Sequence, residues 1–203
     1  MPFSRNRSRV DDARRSGRAG RSAPSTIPAG AHKNVPVTRA AIRRIEPQPG
    51  QESVWDYPRP PRVEPTTDRV VIRFGGETIV DTTDAVRVLE TSHPPVYYLP
   101  RAAFAPGTLV PAAGASFCEF KGAAGYLTVR TGQHEAVAAA WFYPRPSPGF
   151  ESLADRVAVY PSAMESCEVA GERVSPQAGD FYGGWITSRV VGAFKGEPGT
   201  LGW

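Results

Sequence analysis

Lysine is nearly missing from this chain, which has 203 residues and carries three lysines against 21 arginines. Histidine is equally scarce at three residues, and cysteine and methionine number two each. The cysteines, Cys118 and Cys167, lie far apart and form no Cys-x-x-Cys unit, which argues against a disulfide framework and against the usual spacings of structural zinc. No run of about 20 apolar residues is available to span a membrane, and the N-terminal stretch lacks the apolar centre of a secretory signal. The expectation is a cytoplasmic protein with both thiols reduced and no membrane contact. What the chain does have is 21 prolines, spread throughout. Each removes a donor and clashes with the preceding turn, so long helices are not expected.

Charge divides by position. Residues 1–44 hold eleven Lys/Arg against Asp11 and Asp12, a balance of +9, while the remaining residues hold thirteen Lys/Arg against eighteen Asp/Glu, a balance of −5. The basic stretch is rich in Ser, Gly, Ala and Pro and has no apolar periodicity, so it cannot bury enough surface to offset the entropy of ordering. We expect a disordered basic tail over residues 1–35, a linker over 36–54 and a single β domain over 55–203. Tail arginines would meet nucleic-acid phosphates weakly and without sequence preference; a merely solubilising extension is the alternative.

Within the domain the pattern is β. Arg69 to Phe74 alternates, Gly75-Gly76 supplies a tight turn, and Glu77 to Val80 returns as its partner. Further strands are expected at Val86–Leu89, Val96–Leu99, Ala115–Phe120, Tyr126–Arg130, Ala136–Tyr143, Arg156–Tyr160, Cys167–Val169 and Glu172–Val174, with a hairpin turn at Ala170-Gly171. Short helices suit Arg101–Phe104 and Phe150–Ala154, and Thr83–Glu90 reads as either helix or strand. The fold class is therefore mainly β: a compact antiparallel barrel or sandwich-like domain with one or two short helices and a disordered N-terminal tail.

Two sets of markers recur in the same order. Trp55-Asp-Tyr57-Pro58-Arg59-Pro60 returns as Trp141-Phe-Tyr143-Pro144-Arg145-Pro146, and FKGAAGYL at Phe120–Leu127 returns as FKGEPGTL at Phe194–Leu201. The second pair contains both lysines of the domain. An ancestral duplication over residues 55–127 and 141–203 would explain the order; the alternative is that Trp, Tyr and Pro simply suit strand ends.

The segments Thr91-Ser-His93-Pro-Pro-Val-Tyr97-Tyr98, Phe117-Cys118-Glu-Phe-Lys121-Gly122, Trp141-Phe-Tyr143-Pro144 and Phe181-Tyr182-Gly183-Gly184-Trp185, followed by Phe194-Lys195-Gly196, resemble the bacterial family catalogued as domain of unknown function 427. The resemblance covers Trp55 to Trp203. It implies a small, mainly β domain and leaves the biochemical role open. The family is sometimes labelled nucleotidyltransferase-like, but that chemistry needs paired carboxylates to hold Mg²⁺, and this chain has no Asp-x-Asp. Glu119 follows Cys118 where many relatives are expected to carry Pro.

Several side chains are candidates for a site. Lys121 and Lys195 each precede a glycine, Gly122 or Gly196, which allows positive φ or close approach of a ligand, so each lysine is suited to meet an anion; the frames are not Walker loops. A plain turn with a solvated lysine is the alternative. Cys118 stands three residues before Lys121, whose charge would favour thiolate, yet on a strand the two point to opposite faces unless a turn or bulge intervenes. Glu90 is placed to orient His93 as a general base if the two share a face, and a hydrogen-bonded structural His is the alternative. Tyr182 and Trp185 flank the two glycines and could stack on a planar ligand, with Tyr126 nearby in the first frame. A core role competes, and suits Phe181 slightly better than Trp185. Tyr97 and Tyr98 must face opposite ways. His32 and His134 lie in polar surroundings, and a metal site from His93 and both thiols lacks suitable spacing.

The reading is a pocket for a small anionic molecule, phosphorylated or nucleotide-like, with His93, Glu90 and Cys118 as candidate catalytic groups. Lys121, Gly122, Tyr126, Tyr182, Trp185, Lys195 and Gly196 would bind the ligand. A non-catalytic interaction domain whose basic tail contacts acidic partners is the rival. The sequence names no cofactor, no reaction and no oligomeric state.

Overall fold

A strand that is apolar at every second position needs a partner layer for that face, and two sheets supply it here. The computed structural model describes residues 44–179, 181–196 and 200; the expected tail and residues 36–43 of the expected linker lie outside them. In chain order, β1 (Glu52–Ser53), a 3-10 turn (Val54–Asp56) and β2 (Arg62–Thr66) precede the hairpin of β3 (Val70–Phe74) and β4 (Glu77–Thr82). Then come β5 (Ala85–Leu89), β6 (Val96–Pro100), β7 (Leu109–Cys118), β8 (Gly122–Thr131), β9 (His134–Phe142) and β10 (Arg156–Val159). The chain continues with β11 (Ser166–Val169), β12 (Glu172–Arg173), β13 (Ser175–Pro176), β14 (Trp185–Ile186) and β15 (Val190–Val191). Helix among the described residues is confined to 3-10 turns of three residues, as the spread of proline requires.

One sheet runs β2-β5-β6-β10-β9-β8-β7 and a second runs β12-β11-β3-β4. Their strand pairs are antiparallel, and the short β1–β15 pair is parallel. Val70 and Ile72 of β3, Ile79 and Val80 of β4, and Cys167 and Val169 of β11 meet Tyr97, Leu99, Val129, Val157 and Val159 of the larger sheet. Each fully buried aliphatic side chain contributes about 1.5–3 kcal/mol, so this layer is the main source of stability. The other face of the larger sheet carries Val86, Val88, Tyr98, Ala124, Trp141, Tyr143 and Ala158, part of it covered by Phe150 and Leu153.

The expected hairpin turns at Gly75-Gly76 and Ala170-Gly171 are present, all four residues having positive φ. Thr83–Glu90 resolves as a strand because β5 is held between β2 and β6. The strand β2 was not expected, because Pro65 interrupts its pattern; an edge strand with one neighbour tolerates the missing donor. β7 begins at Leu109 rather than Ala115, with a register shift between Ala112 and Ala115. The two Trp-x-Tyr-Pro-Arg-Pro copies differ locally, the first opening in a 3-10 turn and the second in the last residues of β9.

Candidate functional site

The first lysine frame is the tip of the β7–β8 hairpin. Cys118 pairs with Gly122 across the turn Glu119-Phe120-Lys121, and Gly122 has φ +95°, a conformation that L side chains avoid. Ser147 N–H donates to the Lys121 carbonyl at 3.1 Å, tying the tip to the loop after β9. This turn supplies what strand alternation alone would deny, and Cys118 and Lys121 line the same cavity.

The second frame is held by a different device. Lys195 N–H donates to the Ser92 carbonyl at 2.9 Å, while the buried Gln177 side chain donates to the Lys195 carbonyl at 2.5 Å and accepts from Gly184 N–H at 3.1 Å. Gly196, at φ +114°, lies so close to Ala178 that an added Cβ would stand 2.1 Å from its carbonyl oxygen. In both frames the lysine is therefore followed by a glycine of positive φ, although one is a hairpin tip and the other an irregular loop. Gly183 and Gly184 serve close packing rather than approach of a ligand: a Cβ on Gly183 would come within 2.2 Å of the Trp141 ring.

Between these walls lies a cavity of about 480 Å³. Its floor is the second face of the large sheet, where Tyr98, Tyr126, Trp141, Tyr143 and Tyr160 bring their rings together. Trp141 stands 4.5 Å from Tyr160 between ring centroids, and its Nε1–H donates to the Tyr98 hydroxyl at 3.1 Å. The Tyr126 hydroxyl donates to Ser116 Oγ at 2.9 Å. Burial pushes the Tyr98 phenol well above its ordinary range and Tyr160 up to about 12, so the floor offers neutral hydroxyls at physiological pH.

Of the ten residues singled out from sequence, Glu90, His93, Cys118, Lys121, Tyr126, Tyr182 and Lys195 line this cavity. Gly122 and Gly196 do not line it; each follows its lysine with positive φ. Trp185 does not reach it. It is fully buried, packs 5.0 Å from Tyr97 between ring centroids and directs Nε1–H to the Val159 carbonyl. Phe181 is the exposed member of that motif at 74%, the reverse of the sequence expectation, because Trp185 N–H is fixed to the Pro95 carbonyl and β14 is paired with β13. Tyr97 and Tyr98 do face opposite ways: Tyr97 lines a second cavity of about 250 Å³ with Arg87 and Arg189.

His93 and Glu90 share the cavity, but the Glu90 carboxylate pairs with Arg59 at 2.6 Å. The imidazole is oriented instead by its Nδ1 contact to the Thr91 carbonyl at 2.9 Å. A carbonyl only accepts, so Nδ1 carries the proton and Nε2 keeps its lone pair. Burial holds the His93 imidazole below its ordinary pKa; Glu90 opposes this, and Lys195 and Arg59 reinforce it. The Tyr182 ring meets His93 at 5.0 Å between centroids and lies under the Lys195 ammonium at 5.8 Å.

Lys121 is only 9% exposed. Among the described residues its ammonium has no ion-pair partner, the salt bridges all involving arginine. Among the described residues the carboxylates lining the cavity are Glu119, which is exposed, and Glu90, which is engaged. No group of three or more His, Cys, Asp or Glu among the described residues is placed to hold a metal ion. Cys167 in particular is buried in the core between the sheets, where burial pushes its thiol up to about 12. Among the described residues, the donor set for magnesium-held nucleotidyl transfer is thus not assembled at this cavity. His134 packs edge-on against Phe74 instead, and His32 lies outside the described residues.

Sequence reasoning missed Arg59, Tyr98, Trp141, Tyr143, Tyr160 and Gln177 as lining residues. A signal was present for two of them: Trp141 and Tyr143 are two apart, and so share one face of a strand. No helix among the described residues is long and apolar enough to cross a membrane.

No curated protein matches the chain. A family model described as "Domain of unknown function (DUF427)", with the label NTP_transf_9, matches residues 62–170, a span that covers the aromatic floor and the Lys121 turn and stops short of the wall carrying Tyr182 and Lys195. With more than half of its length matched, this chain belongs to the domain of unknown function 427 family.

Proposed function

We propose that the domain binds a small anionic molecule, phosphorylated or nucleotide-like, in the aromatic-floored cavity. The observation that supports this most is Lys121, nine-tenths buried and without a carboxylate partner among the described residues. An ammonium that lines a cavity without a carboxylate partner is placed to pair with a bound anion in a charge-assisted contact. Lys195 faces the same cavity in a region whose net charge outside residues 1–44 is −5, so positive charge is concentrated there against the trend. The volume falls within the range of about 300–1,000 Å³ usual for small-molecule sites. His93 Nε2 is a proton acceptor on hand, though the reading itself is one of binding. It suits a cytoplasmic protein, where phosphorylated metabolites are retained, and the basic residues of the N-terminal stretch add weak nucleic-acid contact as a separate property.

The test is a thermal-shift screen against nucleotides and phosphorylated metabolites, repeated with Lys121→Met and Lys195→Met. A ligand at about a hundred times its Kd adds roughly 2.7 kcal/mol of stability. Lys121→Met keeps the apolar stem and removes the charge, so any stabilising ligand should lose its effect while the unliganded protein melts at the same temperature or higher. Equal shifts in the wild type and both variants would favour the rival reading, an interaction domain in which the frames are plain turns.

A further inference from the structure

Phe117 and Phe181 hold phenyl rings in water for no reason that packing supplies. They are 78% and 74% exposed, and both line the cavity. Phe117 belongs to β7, the edge strand beside the Lys121 turn. Phe181 comes from the opposite wall, its ring edge-on to Tyr182 at 5.2 Å between centroids. A single exposed apolar side chain is ordinary on any surface; Val137, 73% exposed and away from the cavity, is one. Two phenyl rings from separate segments flanking one mouth are a different matter, since each forgoes burial at the same place.

The interior has the same bias. Beyond its charged groups, the polar side chains lining it among the described residues are tyrosine hydroxyls, Ser116, His93, the Cys118 thiol, the Trp141 indole and Gln177; Gln177 is already committed to the Lys195 and Gly184 backbone, His93 Nδ1 to the Thr91 carbonyl and Trp141 to the Tyr98 hydroxyl. A bare sugar would bring several hydroxyls needing partners on burial, whereas a conjugated ring needs only π faces and apolar edges.

We infer that the anionic ligand carries a planar conjugated ring held at the mouth between Phe117 and Phe181, with its anionic group directed inward to Lys121 and Lys195. This rests on the anion-binding reading of the same cavity and narrows it to ring-bearing acids. Sugar phosphates and inorganic phosphate are poor occupants on this assignment.

The test is calorimetric titration of the full chain with flavin mononucleotide, adenosine 5′-monophosphate, riboflavin and ribose 5-phosphate, repeated with Phe117→Ala and Phe181→Ala. Both substitutions are at exposed positions, and an unchanged melting temperature confirms that each variant folds. At least one of the two nucleotides should bind, with riboflavin and ribose 5-phosphate each weaker by tenfold or more. Each Phe variant should weaken the nucleotide about tenfold, as loss of a stacking ring does, and leave ribose 5-phosphate unchanged. Ribose 5-phosphate binding as well as the nucleotides, with both Phe variants silent, overturns the ring assignment and leaves the anion reading standing. Riboflavin binding as tightly as flavin mononucleotide overturns the anion reading, and binding by none of the four overturns both.

Discussion

The backbone N–H of Lys195 donates to the carbonyl of Ser92 at 2.9 Å, and Ser92 N–H donates in turn to the Val54 carbonyl at 3.0 Å. Three segments remote in sequence therefore meet at one serine that is 3% exposed and has φ 69°. The next residue is His93. The second lysine and the imidazole are positioned by main-chain hydrogen bonds rather than by side-chain packing alone, which would limit the ordering cost of binding the proposed ligand.

Gln177 is the side chain on which that arrangement depends. Gln177→Ala leaves the Lys195 carbonyl and the Gly184 N–H without their partner in a buried setting, and we expect a loss of about 2–3 kcal/mol. Urea denaturation reads this directly, and affinity for any anion found in the screen should fall with it. An unchanged midpoint would show that the clamp carries no stability.

Acid should weaken the fold through His93. Its native pKa is held below the ordinary value, chiefly by burial, so below about pH 6.5 the unfolded chain takes up a proton that the native state refuses. Stability is then fully present above that pH and falls as pH drops through the window beneath it. The paired carboxylates Glu64 and Asp68 have lowered pKa values and lose their contribution only in stronger acid. Unfolding free energy measured from pH 7.5 to 5.5 should decline in the wild type, and His93→Gln should flatten the slope. Equal slopes in both proteins would assign the effect elsewhere.

Trp185 and Tyr182 should separate stability from binding. Trp185→Phe opens a gap in the core beside Tyr97 and is expected to cost about 2 kcal/mol, with no change in anion affinity. Tyr182→Ala removes the ring beside His93 and Lys195 and should do the opposite, weakening binding several-fold with a small effect on melting. Chemical denaturation and calorimetry on the same two variants decide the matter.

The strands of the larger sheet were mostly readable from alternation, and so was the rule that Tyr97 and Tyr98 part ways. The cavity was readable only in pieces. Lys121 and Cys118 could share a side only if a turn or bulge interrupted the strand; the turn Glu119–Lys121, closed by the Cys118–Gly122 pair, is that interruption, and alternation alone does not say where a strand stops. Glu90 looked like the partner of His93 because it is near in sequence, but Arg59, 31 residues away, takes its carboxylate. Trp141, Tyr126 and Tyr160 become neighbours through the order β10-β9-β8, a long-range pairing that single-strand periodicity does not encode. Phe181 and Trp185 have equivalent local surroundings, and which of them goes inside is settled by backbone bonds to Pro95 and to β13.

The adjacency of Tyr97 and Tyr98 has a consequence for how the fold tolerates change. One peptide bond separates a ring in the layer between the sheets from a ring on the cavity floor. Because side chains alternate with a period of two, sliding β6 by a single residue would exchange the contents of both sides at once. An insertion within Val96–Pro100 would drive Tyr98 toward the interior and expose Leu99, dismantling the pocket and the core together. Insertions are tolerable only in the turns, and the turn just before β6 is already bound to Lys195. The alignment of this one strand is thus a shared safeguard: the protein cannot lose its pocket by register error and still remain folded.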